Sequence, residues 1–135
     1  MKIRPDFLPL SKPALGGEEI AAVTRCLRSG WITTGPVCRE FEQSFQELTG
    51  AARAVSFTSG TAAMQLLLAA LEIGPGDEVI TPSLTFASTV NMIALRGARP
   101  VFIDIDYPTL NMNPDLLEAL ITPRTRAVIP VHFAG

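Results

Sequence analysis

Two hydroxyl residues flank a glycine where a strand-like run gives way to a helix-like one, and there this chain could hold an anion. Ala54-Val55-Ser56-Phe57 leads into Thr58-Ser59-Gly60-Thr61-Ala62, and that into Ala63-Met64-Gln65-Leu66-Leu67-Leu68-Ala69-Ala70. The start of a helix presents unpaired N–H groups and partial positive charge. Small residues let a phosphate reach that backbone, and hydroxyls add donors. The same residues also suit an ordinary strand-to-helix turn with Ser59 or Thr61 as N-cap. Neither G-x-x-x-x-G-K-[ST] nor G-x-G-x-x-G is present, so this is not a nucleotide P-loop or a dinucleotide fingerprint. The only lysines are Lys2 and Lys12, both in an N-terminal arm. Chemistry that needs a buried lysine further along is not available to residues 1–135.

Other residues could join such a site. Phe86, in Pro82-Ser83-Leu84-Thr85-Phe86, could stack on a flat ring or simply fill a core. Asp104 and Asp106 follow a strand-like run and could act as acid and base or bind a cation. Aspartate at a strand end also makes turns, which is the favoured reading for Asp106. His132 is the single histidine; it could titrate near neutrality, though a satisfied histidine at a strand end is the plainer reading. In Trp31-Ile32-Thr33-Thr34-Gly35-Pro36, the indole with Thr33 and Thr34 could recognise a sugar, or the loop could be a staple between two helices.

These residues need elements to position them. A chain of 135 residues suits one domain and could hide roughly two-thirds of its unfolded surface. The net charge of −2 favours neither nucleic acid nor an anionic membrane. Hydrophobic residues make up 47% and mean hydropathy is +0.30, which suits a largely buried sheet. No apolar run reaches the ~18 residues of a membrane span. Pro5, Pro9 and Pro13 interrupt any signal-peptide core. Cys26 and Cys38 have no metal or redox spacing and read as reduced thiols of a cytoplasmic protein.

Residues 1–50 read as a proline-studded arm and two helices. The first helix opens at Gly17-Glu18-Glu19, carries Ile20, Val23 and Leu27, and stops at Gly30. The second has Pro36 near N1, an apolar stripe of Val37, Phe41, Phe45 and Leu48, and an end at Thr49-Gly50. Residues 51–135 alternate strands and helices. Strands are expected at 54–57, 78–81, 100–103 and 127–131. Helices are expected at 61–71, at 87–96 and after Asn113-Pro114 with Leu116, Leu117 and Leu120. The fold class is therefore α/β, an incomplete and mainly parallel sheet flanked by helices. Ligands of such sheets bind beyond the strands' carboxyl ends. Residues 58–62, 82–86, 104–106 and 132 all fall there. The last strand runs straight into Val131-His132-Phe133-Ala134-Gly135, so the chain is expected to be the truncated N-terminal part of something longer. Its exposed sheet edge predicts poor solubility alone.

Six ordered motifs carry a family resemblance. They are residues 30–36, 58–63, 74–80, Thr85-Phe86 with Asn91, 100–106 and 130–135. Together they resemble the N-terminal part of the DegT/DnrJ/EryC1/StrS family of pyridoxal-phosphate-dependent sugar aminotransferases. The resemblance implies a fold type I large domain with its first βαβ units in residues 51–135. It implies that Gly60, Thr61 and Ala62 bind the cofactor phosphate, that Phe86 stacks on the pyridine ring, and that Thr33 and Thr34 lie near the sugar nucleotide. Residues 31–36 with 88–93 look closest to the subfamily making UDP-4-amino-4-deoxy-L-arabinose, which modifies lipid A.

The resemblance also implies what is missing. The family's aspartate for the pyridinium nitrogen and its cofactor-bearing lysine have no counterpart in this sequence, so no residue here is assigned a catalytic or metal-ligating role. The expectation is a fragment that is inactive alone. The full-length parent would be a homodimer that moves an amino group, from a donor such as glutamate, to a 4-keto nucleotide sugar. Two other readings stand beside it: a non-catalytic phosphate- or nucleotide-binding module, and an interaction partner of a full-length homologue.

Overall fold

The structure, a computed structural model, describes Asp6, Phe7, Pro9 and residues 11–133. Lys2, most of the expected arm, and Ala134 and Gly135 of the last motif lie outside the described residues. The chain divides into two compact units, Met1–Ser56 and Phe57–Gly135.

The first unit holds two helices with clear local signals. Helix α1 spans Gly17–Arg28, with Glu18 and Glu19 in its first turn and Arg25 and Arg28 in its last. Each charge opposes the helix dipole at its own end. The Gly16 N–H donates to Glu19 Oε2 at 2.7 Å, which satisfies one orphan donor. Helix α2 spans Pro36–Thr49 and ends at Gly50 in the left-handed region, φ 72°, whose N–H donates to the Gln46 carbonyl. Glycine takes that conformation without a Cβ clash. The apolar stripes fall where helical spacing puts them. Neither helix buries a residue, however, and Ile20, Val23, Leu27, Phe41 and Phe45 are all exposed.

Residues 54–57 are not a strand, which corrects the sequence expectation. Their alternation suits a pleated chain, but a strand exists only with a ladder partner. None pairs with them among the described residues. The Ser56 N–H instead donates to Glu42 Oε1 on α2 at 2.8 Å, as does the Ser56 hydroxyl at 2.7 Å. The Ser56 N–H, followed by its hydroxyl, holds the Glu42 carboxyl below its usual value of 4.5. A depressed folded pKa contributes stability that is complete above the unfolded value and lost as pH falls through the folded one. The Glu42–Ser56 contact is therefore expected to weaken only below about pH 4.5. Thermal melts of the wild type and Ser56→Ala between pH 3 and 7 check this. Their difference should be constant near neutrality and shrink on the acid side.

The second unit is a small parallel α/β layer. Helix α3 spans Gly60–Ala70, strand β1 Glu78–Pro82, helix α4 Ala87–Leu95 and strand β2 Arg99–Ile103. A 3₁₀ turn at Pro114–Leu116 runs into the short helix α5, Leu117–Leu120, and then strand β3, Thr125–Val128. The sheet has the order β2-β1-β3, both pairings parallel. A central strand of a parallel sheet is covered on both faces, and all five β1 residues are buried. The core joins Leu68 of α3, Ile73, Val79 of β1, Ile93 of α4 and Ala98, with Met64, Met92, Ala127 and Ile129 packed against it.

Two expected boundaries move. The strand expected at 127–131 lies at 125–128. Its last ladder contact is the Ile129 N–H to the Ile80 carbonyl at 2.8 Å, and Pro130 has no N–H to continue it. The helix expected after Asn113 begins as a 3₁₀ turn. Its side-chain cap is present, with Asn113 Oδ1 accepting the Asp115 N–H at 3.0 Å.

Candidate functional site

Three segments meet beyond the carboxyl ends of the strands. The start of α3 supplies Gly60, Thr61 and Met64. The exit of β1 into α4 supplies Thr85, Phe86, Ser88 and Thr89. The exit of β3 supplies Ile129, Pro130 and Val131. They line one open cleft of about 460 Å³.

Each segment is placed by local chemistry. Ser59 is the N-cap of α3 in an extended conformation, and its hydroxyl accepts the Ala62 N–H at 3.1 Å. Ser59→Ala should therefore lower the unit's stability by about 1 kcal/mol, read as a shift in urea midpoint. Phe86 caps α4 through its backbone, leaving its ring 80% exposed. Phe41 and Phe102 are exposed as well; what sets Phe86 apart is its place in the cleft, where a flat ring could stack. Thr89, buried, accepts the Thr85 hydroxyl at 2.8 Å and fixes the turn before the helix.

Helix starts set the electrostatics of the cleft. Two helix N-termini face it, those of α3 and α4, and each contributes partial positive charge. The Gly60 and Thr61 N–H groups meet no acceptor among the described residues. A Cβ built on Gly60 would meet nothing within 4 Å, so the space in front of it is open. The Ala62 N–H, by contrast, is committed to Ser59.

The structure thus brings Gly60, Thr61 and Phe86 together in one cleft, with Ala62 one residue further into α3. Thr33 and Thr34 belong to the first unit and are exposed. There the Trp31 indole N–H donates to the Thr34 carbonyl at 3.1 Å, closing the 31–35 loop on itself. The Trp31 ring covers Gly35 so closely that a Cβ there would collide with it. Asp106 is a turn residue: its Oδ2 accepts the Thr109 hydroxyl at 2.9 Å and its carbonyl accepts the Leu110 N–H. Asp104 Oδ1 accepts the following N–H, that of Ile105, at 2.8 Å. His132 is exposed just past β3. No cluster of His, Cys, Asp and Glu suited to a metal occurs among the described residues. Sequence reading gave Ser88, Thr89 and residues 129–131 no site role, although 88–93 and 130–135 carried part of the resemblance. From the residues themselves, the signal for a site there is position, immediately after a strand or at a helix start. Asn111 was passed over too; its Oδ1 accepts the Phe133 N–H at 2.9 Å across 22 residues of sequence.

The sequence pattern of the DegT/DnrJ/EryC1/StrS aminotransferase family matches residues 13–135. The chain belongs to that family. Spr1654 of Streptococcus pneumoniae, assigned as a sugar aminotransferase, has 45% identity and a TM-score of 0.85 in both its pyridoxal-phosphate and its PMP form. That match covers 95% of this chain and 32% of the PMP-form chain. DesV of S. venezuelae, solved with a ketimine intermediate, has 42% identity over 87% of this chain and 32% of its own, with a TM-score of 0.79. A family member from Brucella abortus has 39% identity over 84% and 32%, with a TM-score of 0.77. The chain spans about a third of the length of these relatives. For a DegT/DnrJ/EryC1/StrS member, a cleft with two free N–H donors, a second helix N-terminus and an exposed ring fits a phosphorylated aromatic cofactor. Residues 57–135 contain no lysine that could bind it covalently.

Proposed function

We propose that residues 57–135 form the phosphate- and ring-binding side of a pyridoxal-phosphate site. The whole protein would be an aminotransferase that moves an amino group, from a donor such as glutamate, to a 4-keto nucleotide sugar. The observation that carries this reading is the pair of unengaged N–H groups on Gly60 and Thr61 in one cleft with the exposed Phe86 ring. Family membership disfavours a non-catalytic module or a mere interaction partner.

In this reading the Gly60 and Thr61 N–H groups and the Thr61 hydroxyl donate to phosphate oxygens. Such contacts anchor a ligand at the end away from its reacting atoms, so binding energy there orients the ring. Phe86 offers a flat apolar face that keeps water off one side of it. The bound cofactor supplies an electron sink for the carbon losing or gaining the amino group. Thr33 and Thr34 contact the sugar nucleotide. The lysine that carries the cofactor comes from outside residues 1–135, and residues 1–135 alone are inactive. The likeness of residues 31–36 and 88–93 to the amino-arabinose subfamily makes UDP-4-amino-4-deoxy-L-arabinose, used on lipid A, the product of first choice. A homodimeric, cytoplasmic parent accords with this reading; no described helix is long and apolar enough to cross a membrane.

Calorimetric titration with pyridoxal 5′-phosphate and with pyridoxal, which lacks the phosphate, tests the cradle. The phosphorylated form should bind at least tenfold more tightly, about 1.4 kcal/mol. Equal affinities would remove the basis of the proposal. Borohydride should trap no covalent adduct on residues 1–135.

A further inference from the structure

At the edge of the sheet opposite the cleft, the Glu78 carboxylate is only 1% exposed and clasped by two arginines. Arg99, the first residue of β2, donates through Nη2 to Glu78 Oε1 at 2.9 Å. Arg124, which precedes β3, donates to the same oxygen through Nε at 3.0 Å and Nη2 at 2.8 Å. The Thr122 hydroxyl donates to Oε2 at 2.7 Å. The backbone repeats the pattern: the Glu78 N–H donates to the Arg124 carbonyl at 2.8 Å, and the Arg99 N–H to the Asp77 carbonyl at 2.9 Å. One side chain on the central strand thus ties down the amino ends of both neighbours.

The place of this clasp matters because β1 and β3 are not in simple register. Glu78 faces Thr125, but Val79 faces Ala127, so Arg126 is an extra residue in β3. A bulge re-aims every side chain beyond it. Here it turns Ala127 and Ile129 toward the core cluster and leaves Arg126 exposed. Without the bulge Val79 would face Arg126, and each later β3 side chain would swap faces. Beyond the bulge, the Ile129 N–H donates to the Ile80 carbonyl and the Thr81 hydroxyl to the Ile129 carbonyl at 3.0 Å. Before it, the Glu78 cluster supplies the side-chain ties.

We infer that Glu78 is a positioning residue: its clasp on Arg124 and Thr122 locks the bulged register of β3, and so sets where Ile129, Pro130 and Val131 stand as one wall of the cleft. The register part stands on this geometry alone; the effect on ligand rests on the reading of the cleft as a cofactor site.

Amide hydrogen exchange on wild type and Glu78→Gln tests the lock, since glutamine keeps the size and removes the charge. Exchange at Glu78 and Ile129 should accelerate at least tenfold more than at Ile73 and Ala98, whose N–H groups donate to Leu68 and Ile93 outside the sheet. Uniform acceleration would show only general destabilisation and overturn the lock, as would no change. If Glu78→Gln does not fold, Thr122→Val removes the hydroxyl's bond to Glu78 Oε2 and its bond from the Arg124 N–H, leaves both arginines on Glu78, and is read by the same comparison. Pyridoxal phosphate affinity, measured in parallel, should fall with protection at Ile129. Should wild type not bind pyridoxal phosphate, the cofactor reading fails while the exchange comparison still decides the lock.

Discussion

Gly60→Val should leave the second unit folded and weaken pyridoxal phosphate binding at least tenfold. Most substitutions that abolish binding also threaten the fold; this one separates the two. Gly60 is the first residue of α3, and a Cβ there would meet nothing within 4 Å outside its own turn of helix. Its backbone is not in the left-handed region, so a side chain brings no strain. Helical Cα–Cβ bonds tilt toward the N-terminus, so the added methyls project into the space where an anion would sit against the N–H groups. The stability change should stay within about 1 kcal/mol, since glycine is itself a poor helix former. Circular dichroism melts read the first part and calorimetry the second. Unchanged affinity would mean that the phosphate does not lie over Gly60.

Ile93→Ala should have the larger effect on stability, about 2–5 kcal/mol by urea unfolding. Ile93 is fully buried in the cluster that joins α4 to Leu68 and Val79. Its carbonyl also accepts the Ala98 N–H as the chain leaves α4 for β2. Truncation leaves a cavity between a helix and the central strand, where neighbours held by the sheet relax little. A domain of ordinary stability has about 5–15 kcal/mol in all, so the variant should lie near its threshold. The same helix begins with the residues that follow Phe86, so the cleft should lose definition with it. A change below about 1 kcal/mol would show that the cluster collapses around the gap and is less tightly packed than its burial implies.

The elements legible in the sequence are those whose signals are local. Pro36 and Gly50 bound α2 because one lacks a useful N–H and the other tolerates positive φ. Ser59 starts α3 because its hydroxyl accepts the Ala62 N–H, and that made one wall of the cleft readable in advance. Elements that depend on distant partners were not legible. Residues 54–57 alternate like a strand, but Ser56 turns its N–H to Glu42 instead. The start of β3 moved because Thr125 pairs with Glu78, whose N–H donates to the Arg124 carbonyl, ahead of the bulge at Arg126. The Glu78 cluster was invisible for the same reason, with partners 21, 44 and 46 residues away. The residues around Thr33 and Thr34 read equally as a sugar-recognising loop or a staple between helices, and only the resemblance favoured the first; the structure shows the local loop they occupy.

The three walls of the cleft have a consequence for how the second unit folds. Gly60 and Val131 both line it yet stand roughly seventy residues apart, the kind of separation that makes contacts slow to form. Helices α3 and α4 can form early from local contacts, but neither encloses the cleft until β3 has crossed over and paired with β1. Loop closure is an entropic debt that must be met before such pairing is rewarded. The cleft is therefore a late product of folding. In refolding experiments a ligand that needs all three walls should register only with the slowest phase, well after helical signal returns, which makes its binding a clock for completion of the sheet.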